Sequence, residues 1–153
     1  MSIEFDIIKS VYDTLFNNVG LRKYINSKTD IYKGFPTNEQ NKSKNLIIIE
    51  SDTFVVTNET YISSTQTLRQ FESNILVFVG FTQETKQDDL QKFLTFTAEV
   101  SNAIDLSTYI IANKKIKRVQ LTDIKKDYQT DRLMFRQAEI SYKITGDYIT
   151  GTL

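Results

Sequence analysis

The sequence predicts an α+β fold: a mostly antiparallel β-sheet packed on one face by two amphipathic helices, with an extended β-arm. Three observations predict it. Apolar residues recur at helical spacing in two stretches, near the N-terminus (Ile7, Val11, Leu15) and in the second half (Leu90, Phe93, Leu94, Ile104). Runs of strand-forming residues lie between and after them, at 46–50, 71–82, 115–125 and 133–144. No internal repeat or break in composition divides the 153 residues, so one domain is expected, with an arm at about 51–70 and a flexible C-terminal tail at about 146–153.

In chain order, Ile7, Ile8, Val11, Tyr12 and Leu15 share one side of a helix over 3–18, while Glu4, Lys9, Ser10 and Asp13 take much of the other. Ser2 suits the N-cap, Glu4 and Asp6 favour the positive end of the helix dipole, and Gly20 is placed to end the helix. A short second turn follows with Leu21, Tyr24 and Ile25. Residues 31–35 form a short edge strand, because Pro36 cannot donate to a ladder, and 37–45 read as a surface loop. Residues 46–50 are an apolar run suited to a strand buried on both faces and paired with the central strand. Two β-prone runs, 54–57 and 60–64, flank Asn58 and Glu59 as a hairpin or extended arm with little core-quality sequence.

The central strand, 71–82, places Phe71, Ile75, Val77, Val79 and Phe81 on one face and Leu76 and Phe78 on the other. Thr85 to Asp88 has the pattern of a capped helix start. The helix over 86–104 then presents a stripe of Leu90, Phe93, Leu94, Thr97, Ser101 and Ile104. Residues 106–113 are apolar but irregular and fit either a helical extension or a connecting strand. Two antiparallel strands complete the pattern. The first sets Val119 and Leu121 against Lys117 and Asp123; the second sets Ala138, Ile140, Tyr142 and Ile144 against Gln137, Glu139, Ser141 and Lys143, across a polar link at 126–131.

A chain of this length buries roughly 70% of the surface it exposes when unfolded, enough for a real core. Lys plus Arg equals Asp plus Glu at 19 each, so no global field draws the protein to nucleic acid or an anionic membrane. The absence of Cys and His removes disulfides, thiolate chemistry and the commonest general base and metal ligand. No run approaches the roughly 20 apolar residues that span a bilayer, and an acidic, amphipathic N-terminus leads us to expect cytosolic synthesis.

Few constellations carry chemistry. Asp88 and Asp89 point about 100° apart on a helix and read as a helix start. Asp123, Asp127 and Asp131 lack the glycine and terminal glutamate of a calcium loop and read as hairpin solvation. Lys114, Lys115, Lys117 and Arg118 form the strongest basic cluster. It suits phosphates or an acidic partner surface, but also a strand edge guarded by cations, which is the preferred reading. Tyr61, Tyr109, Tyr128 and Tyr148, in or beside loops and arms, suit an assembly interface. No catalytic, cofactor or metal site is expected.

The succession of an N-terminal amphipathic helix (3–18), a short segment (31–35), a strand (46–50), a long strand (71–82), a helix (86–104) and a hairpin (115–144) resembles the tail terminator, or tail completion, proteins of tailed bacteriophages. The resemblance covers nearly the whole chain and rests on size, order and pattern. It implies a non-enzymatic subunit of a six-membered ring in the tail or neck of a virion assembled in the host cytoplasm. Its implied partners are other copies of itself, the tail tube protein and the head-side connector, with no membrane and no sequence-specific nucleic acid. A closed ring requires unlike patches to meet. Phe54, Tyr61 and Ile62 on the arm are expected to reach a neighbour, and Arg69 with Lys114, Lys115, Lys117 and Arg118 to lie near axial or lumen surfaces. The length of 51–70 departs from the pattern. A neck, adaptor or baseplate module is the alternative, and a small enzyme with a carboxylate or lysine site a lesser one.

Overall fold

The computed structural model describes residues 2–34, 45–82, 89–105, 110, 114–127 and 135–151. Helix α1 (Ile3–Phe16) leads through a 3₁₀ turn (Val19–Lys23) to β1 (Ile31–Lys33), β2 (Leu46–Tyr61), β3 (Gln66–Thr82), α2 (Asp89–Asp105), β4 (Ile116–Asp127) and β5 (Phe135–Gly151). The five strands form one sheet in the order β1-β2-β3-β5-β4. Every pairing is antiparallel except β1 with β2, so the sheet is mixed. Both helices pack on one face, as the apolar stripes require.

The caps explain where α1 stops. Ser2 Oγ accepts from the Phe5 N–H at 3.4 Å. At the other end Asn17 is the C-cap, three residues before Gly20, and Asn18 Oδ1 then accepts from the Leu21 N–H at 3.2 Å to start the 3₁₀ turn. Gly20 therefore lies inside that turn instead of ending the helix. Ile7, Val11 and Leu15 are buried, with Ile8 and Tyr12 packed beside them.

In α2 the buried stripe is Phe93, Phe96, Thr97, Val100, Ser101 and Ile104. Leu90, expected inside, is 43% exposed, and Phe96 and Val100, absent from the expected stripe, are at 0%. The stripe thus runs one helical row over from Leu90. Phe96 stacks on Tyr24 at 4.9 Å and meets Phe81 at 6.4 Å, tying α2 to the 3₁₀ turn and to β3. Full burial of such side chains stabilises by roughly 1.5–3 kcal/mol each. The capping pattern at 85–88, the loop at 37–44 and most of 106–113 lie outside the described residues; within the last of these, Ile110 is helical and buried.

The helix-side face of the sheet carries Ile47, Ile49, Phe71, Ile75, Val77, Val79, Phe81, Ala138, Ile140, Tyr142 and Ile144, all buried. Leu46 and Ile48, on the opposite face, are buried as well, as a strand apolar on both sides requires. In β4 strict alternation would keep Lys117, Val119, Leu121 and Asp123 on one side. Irregularities at Ile116/Arg118 and Leu121/Asp123 break it. Val119 consequently pairs with buried Ile144 while Asp123 pairs with Ser141 on the far face, so Lys117 and Asp123 escape the core through bulges.

At the ends of strands one open alternative is resolved, the extended arm over a turn at Asn58 and Glu59, and one expectation is corrected. Asn58 and Glu59 do not turn the chain: β2 continues through them, paired with Gln70 and Arg69, and reverses at 62–65. Residues 146–151, read as a tail, are the last stretch of β5, hydrogen-bonded along β3 from Phe71 to Gln66. Two glycines and few buried side chains had disguised a continuous ladder.

Candidate functional site

The expected excursion at 51–70 is a three-stranded projection. Beyond the body of the sheet, β2 from Thr53 to Tyr61, β3 from Gln66 to Phe71 and β5 from Gly146 to Gly151 run together in register, with Thr60, Leu68 and Ile149 in one row and Tyr61, Thr67 and Thr150 in the next. The third strand changes what the arm is. An isolated two-stranded hairpin is marginal in water, whereas three strands rooted in a core hold a defined shape.

Its root is aromatic. Phe71, 2% exposed, stacks on Phe54 at 5.3 Å, and Tyr148 closes the cluster at 6.0 Å from Phe71 and 6.4 Å from Phe54. Next along the same face, Arg69 Nε donates to Glu59 Oε1 at 2.8 Å. Hydrogen bonding to Tyr148, and then to Glu59, raises the Arg69 guanidinium above its ordinary value. At the start of the arm Asn74 Nδ2 donates to Thr53 Oγ1 at 2.7 Å, bracing β2 at its first bulge. Toward the tip the surface turns apolar and open: Tyr61 is 82% exposed, and Ile62 and Ile149 are exposed too, while Val55 and Val56, also exposed, lie at the root opposite Glu72 and Phe71.

The basic cluster sits beside the other edge of the root. Ile116 registers with Gly146, and the Asp147 N–H donates to the Lys115 carbonyl at 3.0 Å, so 114–118 abut the stretch of β5 that opens the arm. Lys115 Nζ reaches Asp6 Oδ2 of α1 at 3.0 Å. Lys114, Lys117 and Arg118 are exposed.

The candidate interface residues thus fall into four places. Tyr61 and Ile62 are at the tip. Phe54 is half-buried at the root and stacks within its own chain. Arg69 lies on the arm's aromatic face, registered with Tyr148, and Lys114, Lys115, Lys117 and Arg118 form a corner beside residues 145–147 of β5. Ile149, Val55 and Val56, exposed apolar residues of the arm, were not singled out from the sequence. The signal was a β-prone Tyr-Ile-Thr between glycines.

Within the body, Tyr142 Oη donates to the Ser101 carbonyl at 3.4 Å. Burial pushes the Tyr142 phenol well above its usual range, against a smaller lowering by the Ser101 hydrogen bond, and the nearby Asp105 carboxylate adds to the rise. Burial likewise raises Asp105 at the end of α2. Among the described residues no group of three or more acidic side chains converges to hold a metal ion, and no helix is long and apolar enough to cross a membrane.

No family model and no curated protein matches this sequence. A search of solved structures finds a chain in the virion of a native gene transfer agent particle, with a TM-score of 0.58, 12% sequence identity, and coverage of 92% of this chain and 94% of that one. The two chains share a fold over most of their lengths.

Proposed function

We propose that the chain is a structural protein of a phage-like particle, a tail terminator. Copies close into a six-membered ring that seats on the end of the tail tube, stops its polymerisation and offers the opposite surface to the head-side connector. The observation that carries this reading is the correspondence over almost the full length of both chains with a component of a gene transfer agent virion. It is supported by an apolar-tipped, three-stranded arm and a basic corner beside its root, two unlike surfaces on one subunit, as a head-to-tail ring needs. The role is geometric and draws on no catalysis or cofactor.

The test is tube growth. Purified tube subunits polymerising without the protein should give a broad, lengthening distribution; adding it should freeze lengths in proportion to the ends it occupies. Undiminished growth at saturating protein would refute the terminator role. Binding along the sides or to a baseplate instead of the growing end would favour an adaptor.

A further inference from the structure

The two outer strands of the arm are unlike, and among the described residues both are open. On one side β2 loses its neighbour after β1 ends at Lys33, opposite Ile49. On the other, β5 loses its neighbour beyond the first residue of β4, Ile116 opposite Gly146; the Asp147 N–H still donates to the Lys115 carbonyl, and 148–151 are left with an open edge. Such an edge presents main-chain N–H and C=O groups at alternate residues and templates a further strand unless it is blocked.

Blocking devices are distributed unevenly. The outer edge of β4 carries Lys117, Arg118, Lys125 and Lys126, the usual guard against edge pairing. The arm has no such guard: no lysine or proline occurs between residues 45 and 85. Two irregularities bend β2 at Ser51/Thr53 and Val56/Asn58, but beyond the second the strand is regular from Asn58 to Tyr61. β2 carries Glu50, Asp52 and Glu59 and no cation, the last of them paired with Arg69 of its own arm, whereas the β5 edge adjoins the Lys114, Lys117 and Arg118 corner.

We propose that the arm is completed by a second copy of this chain: the β2 edge of one arm pairs through its main chain with the β5 edge of the next. Both β2 and β5 run antiparallel to β3 and hence parallel to each other, so adding copies in one orientation joins unlike edges in a parallel ladder. The contact is heterologous and repeats from subunit to subunit. It brings Asp52, at the root of the β2 edge, toward the basic corner and covers part of the exposed surface of Tyr61, Ile62 and Ile149. This deepens the ring reading above by naming the contact, but its test does not depend on tubes.

The chain lacks cysteine, so introduced thiols report cleanly. Thr60→Cys and Asp147→Cys place one thiol on each edge. Equal mixtures of the two single variants, treated with a short bis-maleimide at about 1 mM, where even weak interfaces are populated, should give a covalent dimer of unlike variants, and the double variant a ladder of higher oligomers. Asn58→Lys with Thr60→Lys, added to the Asp147→Cys partner and an unblocked cysteine elsewhere on β2 at Thr57→Cys, should abolish the product while far-UV circular dichroism stays native. Failure of the mixed product, or an equal yield from Thr60→Cys alone, which would signal like edges pairing, overturns the proposal. Cross-linked rings that ignore tubes would sink the terminator reading and keep this one. Tube capping without the mixed product would do the reverse.

Discussion

Gly146→Ala tests how the arm is rooted. A Cβ at this position would fall against the Lys115 carbonyl oxygen, 2.9 Å from its carbon and 2.9 Å from Phe71 Cζ. Neither neighbour yields easily. The carbonyl accepts the Asp147 N–H at 3.0 Å, and Phe71 is buried and stacked on Phe54. Overpacking of this kind costs about 1–3 kcal/mol, and loss of the hydrogen bond adds about 1 kcal/mol. The less flexible unfolded chain returns roughly 0.4–1 kcal/mol. The net expectation is a loss of roughly 2–3 kcal/mol, which at a urea slope of about 2 kcal/mol/M lowers the midpoint by about 1 M or slightly more. Gly20→Ala is the control: its nearest contacts, at 3.2 Å, are the ends of the Asn18 and Glu99 side chains, and its midpoint should move little. A Gly146→Ala midpoint within about 0.2 M of the parent would refute the close approach of β4 to β5 that anchors the arm.

Phe54→Ala and Tyr61→Ala should separate root from tip. The first removes a half-buried ring from the Phe71–Tyr148 cluster and should cost about 2–3 kcal/mol in urea unfolding, while the second should leave stability within about 0.5 kcal/mol but weaken self-association in sedimentation. Tyr142→Phe gives a pH signature. Because the folded-state phenol titrates above its ordinary value of 10.0, its contribution is fully present below pH 10 and lost as pH rises toward the folded value. The parent should therefore lose stability above pH 10 more steeply than Tyr142→Phe, and parallel curves would contradict the burial of that hydroxyl.

The body of this fold was legible in the sequence because its side chains announce their faces. Phe71 to Phe81 and Ala138 to Ile144 alternate cleanly, and the inward sets are the buried sets. Burial patterns say less where both faces of a strand meet water. Asn58 and Glu59 look like turn residues, yet main-chain pairing with Gln70 and Arg69 carries β2 past them. Residues 146–151 look like a tail, yet they are the third strand of the arm, and Gly146 is there because β4 and Phe71 leave no room for a side chain. The candidate surface depends on these elements, so Tyr61, Ile62 and the basic corner stand out in the sequence as candidates without the strand that lies between them. Phe54, an aromatic residue on the arm, reads from the sequence as a contact residue, and the structure adds that Phe71 and Tyr148 of its own chain meet it.

The central claim, an arm-linked ring at the end of a tube, is tested most directly by electron microscopy of purified tail tubes mixed with the protein, with averaging of the tube ends. The account predicts a six-fold ring on one end, its subunits joined through neighbouring arms by the β2 edge of one and the β5 edge of the next. Bare tube ends at saturating protein, or a ring whose arms do not touch, would contradict it.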